Sequence, residues 1–312
     1  MSTIKIEDIA HVRFAAPDLD AMRAFLGEFG MIEALSSDGV LYARGTGDQP
    51  FLHATSLGEP GFRALGLRAE SVADLEKLAA SEGAPLERSS APGGGFVLAL
   101  TDPDGFRVEV VAGQASASPI SLPGGAIRND ARAKARLRAP TRLTEGPAHV
   151  VRLGHAVLEV KDFRASEDWY KSRFGFITSD EIEVAPGMAL GAFLRCDRGE
   201  TPTDHHTLFL LQSPGGTPKF NHAAFEVVDF DDLMLGHTHL KRAERTPAWG
   251  VGRHILGSQI FDYWMDPWGH EIEHWTDGDL FAAGDGSRKA TLQDLLGVQW
   301  GPNHPMMGGA SR

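Results

Sequence analysis

Cysteine is almost absent from this chain, which has Cys196 alone among 312 residues. An intramolecular disulfide is therefore impossible, and a protein metal site must use histidine and carboxylate ligands instead of several thiolates. Long apolar runs are missing as well. None approaches the roughly 20 residues that span a bilayer, and the opening segment MSTIKIEDIAHVRF lacks the apolar stretch of a signal peptide. We expect no membrane partner and a location in the cytoplasm.

Long basic runs are also absent. The 30 basic and 42 acidic residues give a formal net charge of -12 at pH 7, which disfavours a nucleic-acid partner. A small molecule is the expected partner. With 42% hydrophobic residues, the chain is long enough to bury one large core or two.

What the sequence does contain is an internal repeat. The segment IAHVRFAAPDLDAMRAFLGEFGMIEA from Ile9 is similar to LGHAVLEVKDFRASEDWYKSRFGFITS from Leu153. Likewise, LTDPDGFRVEVVAG from Leu100 is similar to WMDPWGHEIEHWTDG from Trp264. Each half divides again into two units of strand, helix and further strands, so the sequence predicts four similar modules. Their approximate bounds are 8–56, 62–113, 151–213 and 219–276.

Periodicity predicts an α+β fold. The segments between the helices alternate apolar with polar residues, as strands do, and we expect each domain to be a curled mixed sheet that forms a cup with its helices outside. The predicted helices are Leu19 to Phe29, Val72 to Ser81, Ala165 to Phe174 and Asp231 to Arg242.

The predicted domain boundaries follow from composition. Residues 1–115 form a first domain and residues 151–280 a second. The segment 116–150 is rich in Ala, Pro, Gly and Arg without clear periodicity, which is typical of a linker. Residues 281–312 form a tail that looks irregular.

Three strand-like runs of the second half carry the best candidates for chemistry. They are GHAVLEV with His155, NHAAFEV with His222 and HEIEHW with Glu273. Strand alternation places each of the three on the more polar face of its strand, where ligands from separate strands can converge. Two imidazoles and one carboxylate with open positions are the ligand set of non-haem Fe(II) oxygenases. Any one of them alone is more often a structural histidine or a solvated carboxylate, but their joint placement favours a metal site.

The first half has lost part of this set. His11 aligns with His155 and Glu109 aligns with Glu273, but Ala64 stands where His222 stands. Two donors hold a divalent ion weakly, so we predict that only the second domain has a functional metal site.

At these residues the sequence resembles the two-domain extradiol ring-cleavage dioxygenases of the vicinal oxygen chelate superfamily, most strongly from Leu153 to Asp279. The resemblance implies two βαβββ modules per domain, a metal in the second domain, a catechol substrate, O2 as co-substrate and a homo-oligomer. Fe(II) is the expected ion, because the reaction needs a redox-active metal, and Mn(II) is the alternative. The segment DYWMDPWGHEIEHWTDGD is similar to enzymes that cleave dihydroxybiphenyl-type or trihydroxytoluene-type substrates.

The same resemblance implies roles for His206, His254 and Tyr263. His206, in DHHTLFLL, is the expected acid/base residue, and Tyr263, in IFDYWMDPWG, would donate a hydrogen bond to the deprotonated catechol. His254, in GVGRHILG, would stabilise charge in the pocket. Alternatives remain: Tyr263 could be a core aromatic, His254 could end a loop, and a bulge could turn His205 inward. Expected substrate contacts are His205, Trp249 and Phe261.

Two other functions are compatible with such modules. A glyoxalase-like isomerase or a metal-dependent thiol transferase would use a metal without O2, and it usually has a fourth protein ligand. A ligand-sequestering protein of the bleomycin-resistance type would need no metal. The three predicted ligands together with His206, His254 and Tyr263 favour the dioxygenase.

Overall fold

A computed structural model of the protein describes residues 2–122 and 127–307. Its regular structure follows the sequence repeat: four times along the chain, one strand leads into one helix and then into three principal strands. The predicted α+β fold of four βαβββ modules is confirmed.

The first domain contains two modules in one eight-stranded mixed sheet. Its elements are β1 (Ile6–Ala16), α1 (Leu19–Phe29), β2 (Ile32–Ser37), β3 (Val40–Arg44), β4 (His53–Leu57), β5 (Gly61–Ala69), α2 (Val72–Glu82), β6 (Leu86–Arg88), β7 (Phe96–Thr101) and β8 (Arg107–Ala112). The strand order is β2-β3-β4-β1-β5-β8-β7-β6. The first strands of the two modules, β1 and β5, therefore pair antiparallel at the centre.

The second domain repeats this plan in a ten-stranded sheet. Its module elements are β9 (Val150–Val160), α3 (Phe163–Phe174), β10 (Ile177–Ala185), β11 (Met188–Arg195), β12 (Thr203–Asp204), β13 (Leu208–Gln212), β14 (Lys219–Val227), α4 (Phe230–Arg242), β15 (Pro247–His254), β16 (Ile260–Met265) and β17 (Glu271–Thr276). Strands β9 and β14 pair antiparallel at the centre, and β17 lies parallel to β14 on its other side.

The ends of the four module helices follow local sequence rules. At each start, a side-chain oxygen accepts backbone N–H groups of the first turn, and this capping typically contributes about 1 kcal/mol. The capping residues are Asp18, Ser71, Asp162 and Asp229. Three of the helices end at a glycine in the left-handed conformation, namely Gly30, Gly83 and Gly175. These capping residues explain why the helix ends predicted from periodicity lie within two residues of the observed ends.

The two faces of the second sheet have different surroundings. On β9, Ala156, Leu158 and Val160 are fully buried in the main hydrophobic core, as the alternation predicts. On the opposite face of the strand, His155 and Glu159 line a cavity instead. Side chains from β9, β11, β13, β14, β15, β16 and β17 all line this cavity, so that face of the sheet is concave.

The domains are joined by aromatic packing. The rings of Phe62 and Phe220 stack with centroids 4.6 Å apart, and Phe14 meets Phe220 edge-on at 5.2 Å. His274 stacks on Phe29 at 3.7 Å, and its Nε2 donates to the Phe29 carbonyl oxygen at 2.7 Å. His274 is therefore a packing residue on the core side of β17, facing away from the cavity. Between Gly113 and His149, the described residues form neither helix nor strand.

The tail is more regular than the sequence indicated. It contains β18 (Leu280–Phe281), β19 (Arg288–Thr291), α5 (Leu292–Leu296) and β20 (Val298–Trp300), with short 3-10 helices at Ala283–Asp285 and Pro305–Met307. Strand β19 pairs with β10 at one edge of the sheet, and β20 pairs with β15 at the other. The expectation of an irregular tail is therefore wrong for β19 and β20, because the two sheet edges supply their hydrogen-bond partners. The longest described helix, α4, has 13 residues, and none of the described helices has the length and apolarity needed to cross a membrane.

Candidate metal centre

The three predicted ligands converge from adjacent strands. His155 lies on β9, His222 on β14 and Glu273 on β17, and these three strands are neighbours in the sheet. Oε2 of Glu273 lies 3.4 Å from Nε2 of His155 and 3.4 Å from Nε2 of His222. The candidate ligand atoms of all three residues lie within 4.8 Å of one another. A single ion can contact all three from this arrangement.

The burial of these ligand atoms indicates which kind of group fits between them. The Glu273 side chain is fully buried, yet neither carboxylate oxygen has a hydrogen-bond partner among the described residues. Nε2 of His222 is buried without a partner as well. A buried, unpaired carboxylate is costly unless a cation or a donor satisfies it. Two nitrogen donors and one carboxylate fit a divalent ion of the first transition row.

The protonation states suit metal binding. Burial lowers the pKa of His155 below its ordinary value, although Glu273 opposes the shift. Burial alone would raise the pKa of the Glu273 carboxyl, but the nearby imidazoles of His155 and His222 outweigh it and hold that pKa well below its usual range. A neutral imidazole and an ionised carboxylate are the forms that bind metals.

A chain of hydrogen bonds orients His222. Its Nδ1 lies 2.7 Å from Oδ1 of Asn221, an acceptor, so Nδ1 carries the proton and the Nε2 lone pair faces the candidate metal position. Nδ2 of Asn221 donates to Oε1 of Glu159 at 2.9 Å, and Nζ of Lys219 lies 3.1 Å from the same oxygen. Outer partners of this kind fix the ligand's tautomer. Sequence reasoning missed Asn221, whose only signal is its place beside a ligand.

The structure places His206, His254 and Tyr263 in the lining of the same cavity as His155 and His222. The ring centroids of His206 and His155 are 3.9 Å apart. Nε2 of His254 lies 3.0 Å from the hydroxyl oxygen of Tyr263 and 3.8 Å from Oε1 of Glu273. All three side chains can therefore contact a molecule bound beside the ion.

Burial also sets the protonation of two of these groups. It lowers the pKa of His206 well below its ordinary value, and the neighbouring His155 and His205 add to the effect, so the imidazole is neutral. It raises the pKa of Tyr263 well above its ordinary value, with Glu273 adding to the shift, so the phenol keeps its proton. His206 can accept a proton, and Tyr263 can donate a hydrogen bond.

The three expected substrate contacts differ in whether they line the cavity. Trp249 lines the cavity, but His205 and Phe261 do not. Phe261 is fully buried, because the rings of His254 and Trp249 cover it at centroid distances of 4.2 and 4.3 Å. His205 is 1% exposed and lies behind His206, with its Nε2 2.6 Å from Oδ2 of Asp180.

The cavity has a volume of about 700 Å³, and much of its wall is apolar. The tail forms part of this wall, a placement that local sequence patterns do not predict. Nε1 of Trp249 donates to the carbonyl oxygen of Pro302 at 2.9 Å, and this bond ties the tail to the cavity rim. The tail residues that line the cavity are Leu295, Leu296, His304, Pro305 and Met306.

The corresponding position in the first domain is filled by an arginine. Nε of Arg13 lies 2.7 Å from Oε2 of Glu109, and Nε2 of His11 lies 3.0 Å from the same oxygen. Arg13 pairs with Ala64 across β1 and β5, so the side chain that replaces the missing histidine is small and leaves space for a guanidinium. Oε1 of Glu109 also accepts a hydrogen bond from Nε of Arg107, at 2.9 Å. Its charge is balanced by two arginines.

A family model matches the domain that carries the candidate ligands. Residues 152–274 match the model of the Glyoxalase/Bleomycin resistance protein/Dioxygenase superfamily. The part of the chain that carries the candidate ligands is therefore similar to this superfamily, and the chain is homologous to extradiol ring-cleavage dioxygenases.

Individual relatives match nearly the whole chain. It is 28% identical over 310 residues to metapyrocatechase 2 of Cupriavidus necator, covering 96% of this chain and 90% of that protein. A Mn(II)-bound glyoxalase from Novosphingobium aromaticivorans has a TM-score of 0.78 at 23% identity, covering 99% of this chain and 95% of its own. A variant of homoprotocatechuate 2,3-dioxygenase from Brevibacterium fuscum, in complex with HPCA, has a TM-score of 0.74 at 18% identity, covering 93% of this chain and 76% of its own.

Glu273→Gln tests the metal centre. We expect wild-type protein to bind one divalent ion per chain, and Glu273→Gln to weaken binding by more than roughly 100-fold, because even outer partners of ligands contribute about 10–100-fold. Calorimetric titration with Mn(II) and metal analysis after dialysis measure both quantities. The matched control is Glu109→Gln, the same change in the first domain, which should leave affinity and stoichiometry unchanged. Two ions per wild-type chain, or loss of binding in the control alone, would contradict the assignment.

Proposed function

We propose that the protein cleaves a catechol ring outside its two hydroxyl groups, inserting both atoms of O2 at a mononuclear Fe(II) centre. One observation carries the proposal: a group of two histidines and one glutamate opens into a cavity that also contains a neutral imidazole and a protonated phenol. The homology to extradiol dioxygenases supports it.

The residues present fit an iron ion, which His155, His222 and Glu273 would hold on one side. A redox-active ion bound there supplies the means of passing electrons from a catechol to O2. Manganese(II) satisfies the same ligands, and we propose iron because these donors are the ligand set of Fe(II) oxygenases.

The chain's own groups control the protons of the substrate. His206 is neutral and lines the cavity beside His155, so it accepts a proton from a catechol hydroxyl and later returns it to the substrate. Tyr263 donates a hydrogen bond to the deprotonated catechol oxygen, and His254, 3.0 Å from the Tyr263 hydroxyl, orients that phenol. The apolar wall excludes water, which strengthens each of these interactions.

The alternative functions have less support from the site. A glyoxalase-like isomerase or thiol transferase usually has a fourth protein ligand, whereas the candidate ligand group here contains three residues. A sequestering protein of the bleomycin-resistance type has no use for a buried, unpaired carboxylate aimed at two imidazoles.

His206→Phe tests the proposed function. Anaerobically iron-loaded wild-type protein should consume O2 and form a yellow ring-opened product when mixed with catechol, 3-methylcatechol or 2,3-dihydroxybiphenyl in air. His206→Phe should still bind iron and catechol but turn over about 10²–10⁴-fold more slowly, which is the usual contribution of a general acid/base. An oxygen electrode and product absorbance measure both rates.

The matched control is His239→Phe on α4, which changes a histidine that does not line the cavity and should leave turnover unchanged. Wild-type protein that consumes no O2 with any of the three catechols would refute the proposed function. Unchanged turnover in His206→Phe would refute the role of His206.

Charges in the cavity favour a substrate without an anionic substituent. Among residues 2–122 and 127–307, no arginine lines the cavity, and Lys219 is neutralised by Glu159 at 3.1 Å. Glu271 adds a carboxylate to the lining. Much of the remaining wall is apolar, including Phe193 and Phe209. We therefore propose an uncharged, bulky or bicyclic catechol as substrate.

A comparison of neutral and carboxylated catechols tests this charge argument. At pH 8, kcat/KM for 2,3-dihydroxybiphenyl should exceed that for homoprotocatechuate, which carries a carboxylate, by at least about tenfold, because like charges 4 Å apart cost about 1–4 kcal/mol. Glu271→Gln should raise kcat/KM for homoprotocatechuate and leave that for 2,3-dihydroxybiphenyl unchanged. A preference for the carboxylated substrate in wild-type protein would contradict the argument.

A further inference from the structure

Behind His206 lies a chain of hydrogen bonds that the proposed chemistry does not use. Nδ1 of His206 lies 3.1 Å from Nδ1 of His205, and Nε2 of His205 lies 2.6 Å from Oδ2 of Asp180. Asp180 is on β10, and the two histidines precede β13. All three side chains are buried, but only His206 lines the cavity. The chain therefore runs from the cavity wall into the protein.

When both imidazoles are neutral, the Asp180 carboxylate at the end of the chain sets the direction of its hydrogen bonds. An ionised carboxylate only accepts hydrogen bonds, so Nε2 of His205 must donate to Asp180. When His205 is neutral, it has one protonated nitrogen, so its Nδ1 accepts a hydrogen bond and Nδ1 of His206 donates to it. The proton of His206 is then on Nδ1. Its Nε2, on the opposite side of the ring, presents a lone pair to the cavity.

The surroundings leave these groups few other partners. Among the described residues, no lysine or arginine nitrogen lies within 4.0 Å of the Asp180 carboxylate, and His205 is its hydrogen-bond partner. The buried guanidinium of Arg195 bonds instead to the carbonyl oxygen of Thr178 and to Oγ of Ser179. A Cβ added at Gly257 would lie 3.0 Å from Nδ1 of His205, so a glycine there gives the imidazole the space it needs.

We propose that Asp180 and His205 are positioning residues that hold His206 in the Nδ1-protonated tautomer, with Nε2 free to take a proton from the substrate. This inference rests on the proposed function, because it assigns a partner to the base of that reaction. A free imidazole prefers the opposite tautomer, protonated at Nε2, which would direct a proton at the catechol instead of a lone pair. The hydrogen-bonded chain of Asp180, His205 and His206, here called the relay, therefore selects the tautomer of His206 that can act as a base.

The relay also stabilises His206 after it has accepted the proton. The catechol O–H bond breaks, its electron pair stays on the catechol oxygen, and the new N–H bond forms at Nε2 of His206. The resulting imidazolium shares its positive charge through the His205 ring with the Asp180 carboxylate. A buried aspartate supports the catalytic histidine of serine proteases in this manner, by fixing its tautomer and stabilising its charged form. Asp180 and His205 need not touch the substrate.

Asp180→Asn tests the relay at nearly constant volume. We expect kcat to fall by roughly 10–100-fold, as is usual for outer partners of site residues, while iron content and the anaerobic dissociation constant for catechol stay unchanged. A second readout uses metal-free protein labelled with 15N-histidine. In wild-type protein, His206 should be protonated at Nδ1, and in Asp180→Asn the proton should shift toward Nε2. Comparison with His206→Phe assigns the resonances.

His205→Phe, which removes the middle of the chain, should shift the His206 tautomer in the same direction as Asp180→Asn. The matched control is His149→Gln, which removes a different histidine–aspartate pair, with Nδ1 of His149 2.7 Å from Oδ1 of Asp232 and neither residue lining the cavity. It should change neither kcat nor the tautomer of His206.

The two readouts separate the relay from the proposed function. His206 protonated at Nε2 in wild-type protein, or an unchanged tautomer in Asp180→Asn, would overturn the relay. Because the tautomer is measured without metal, a wild-type protein that cleaves no catechol would refute the proposed function and leave the relay supported if the shift is observed. A shifted tautomer with unchanged kcat would support the relay and remove His206 as the base.

Discussion

The buried carboxylate of Glu273 is the group on which the rest of the site depends. It lies at the centre of a curved sheet and is fully buried, with two imidazole nitrogens 3.4 Å away and no hydrogen bond from any of the described residues. Burying such a charge is costly unless a cation or a hydrogen-bond donor satisfies it. Antiparallel pairing of β9 with β14, and parallel pairing of β14 with β17, bring the three donors together. The central pairing of the two modules therefore creates the metal centre.

The first domain shows a second way to satisfy the same carboxylate position. There Glu109 is neutralised by guanidinium groups, with Nε of Arg13 at 2.7 Å. The two modules of that domain are arranged in their sheet as the modules of the second domain are. One copy of the repeat thus uses a side-chain cation, and the other leaves its carboxylate for an ion. The two domains pack through Phe62 and Phe220, so the first copy supports the second without sharing its chemistry.

The sequence predicts the modules and the candidate ligands well, because both depend on local rules. Alternation along a strand decides which face His155 occupies, and helix caps decide where each helix begins. The sequence does not predict contacts made across the fold. Phe261 has the same strand parity as Tyr263, and only the rings of His254 and Trp249 show that it is covered. The tail strands pair with the edges of the second sheet, which are far from the tail in sequence. The hydrogen bond from His205 to Asp180 joins residues 25 positions apart.

We propose that one metal centre in the second domain directs both oxygen atoms of O2 into a catechol ring. Mass analysis of the product of 2,3-dihydroxybiphenyl, formed by iron-loaded protein under isotopically labelled dioxygen, tests it most directly. We expect a ring opened beside the diol, with both labelled oxygen atoms of one dioxygen molecule in the product. A quinone without label, or a ring opened between the two hydroxylated carbons, would contradict the account.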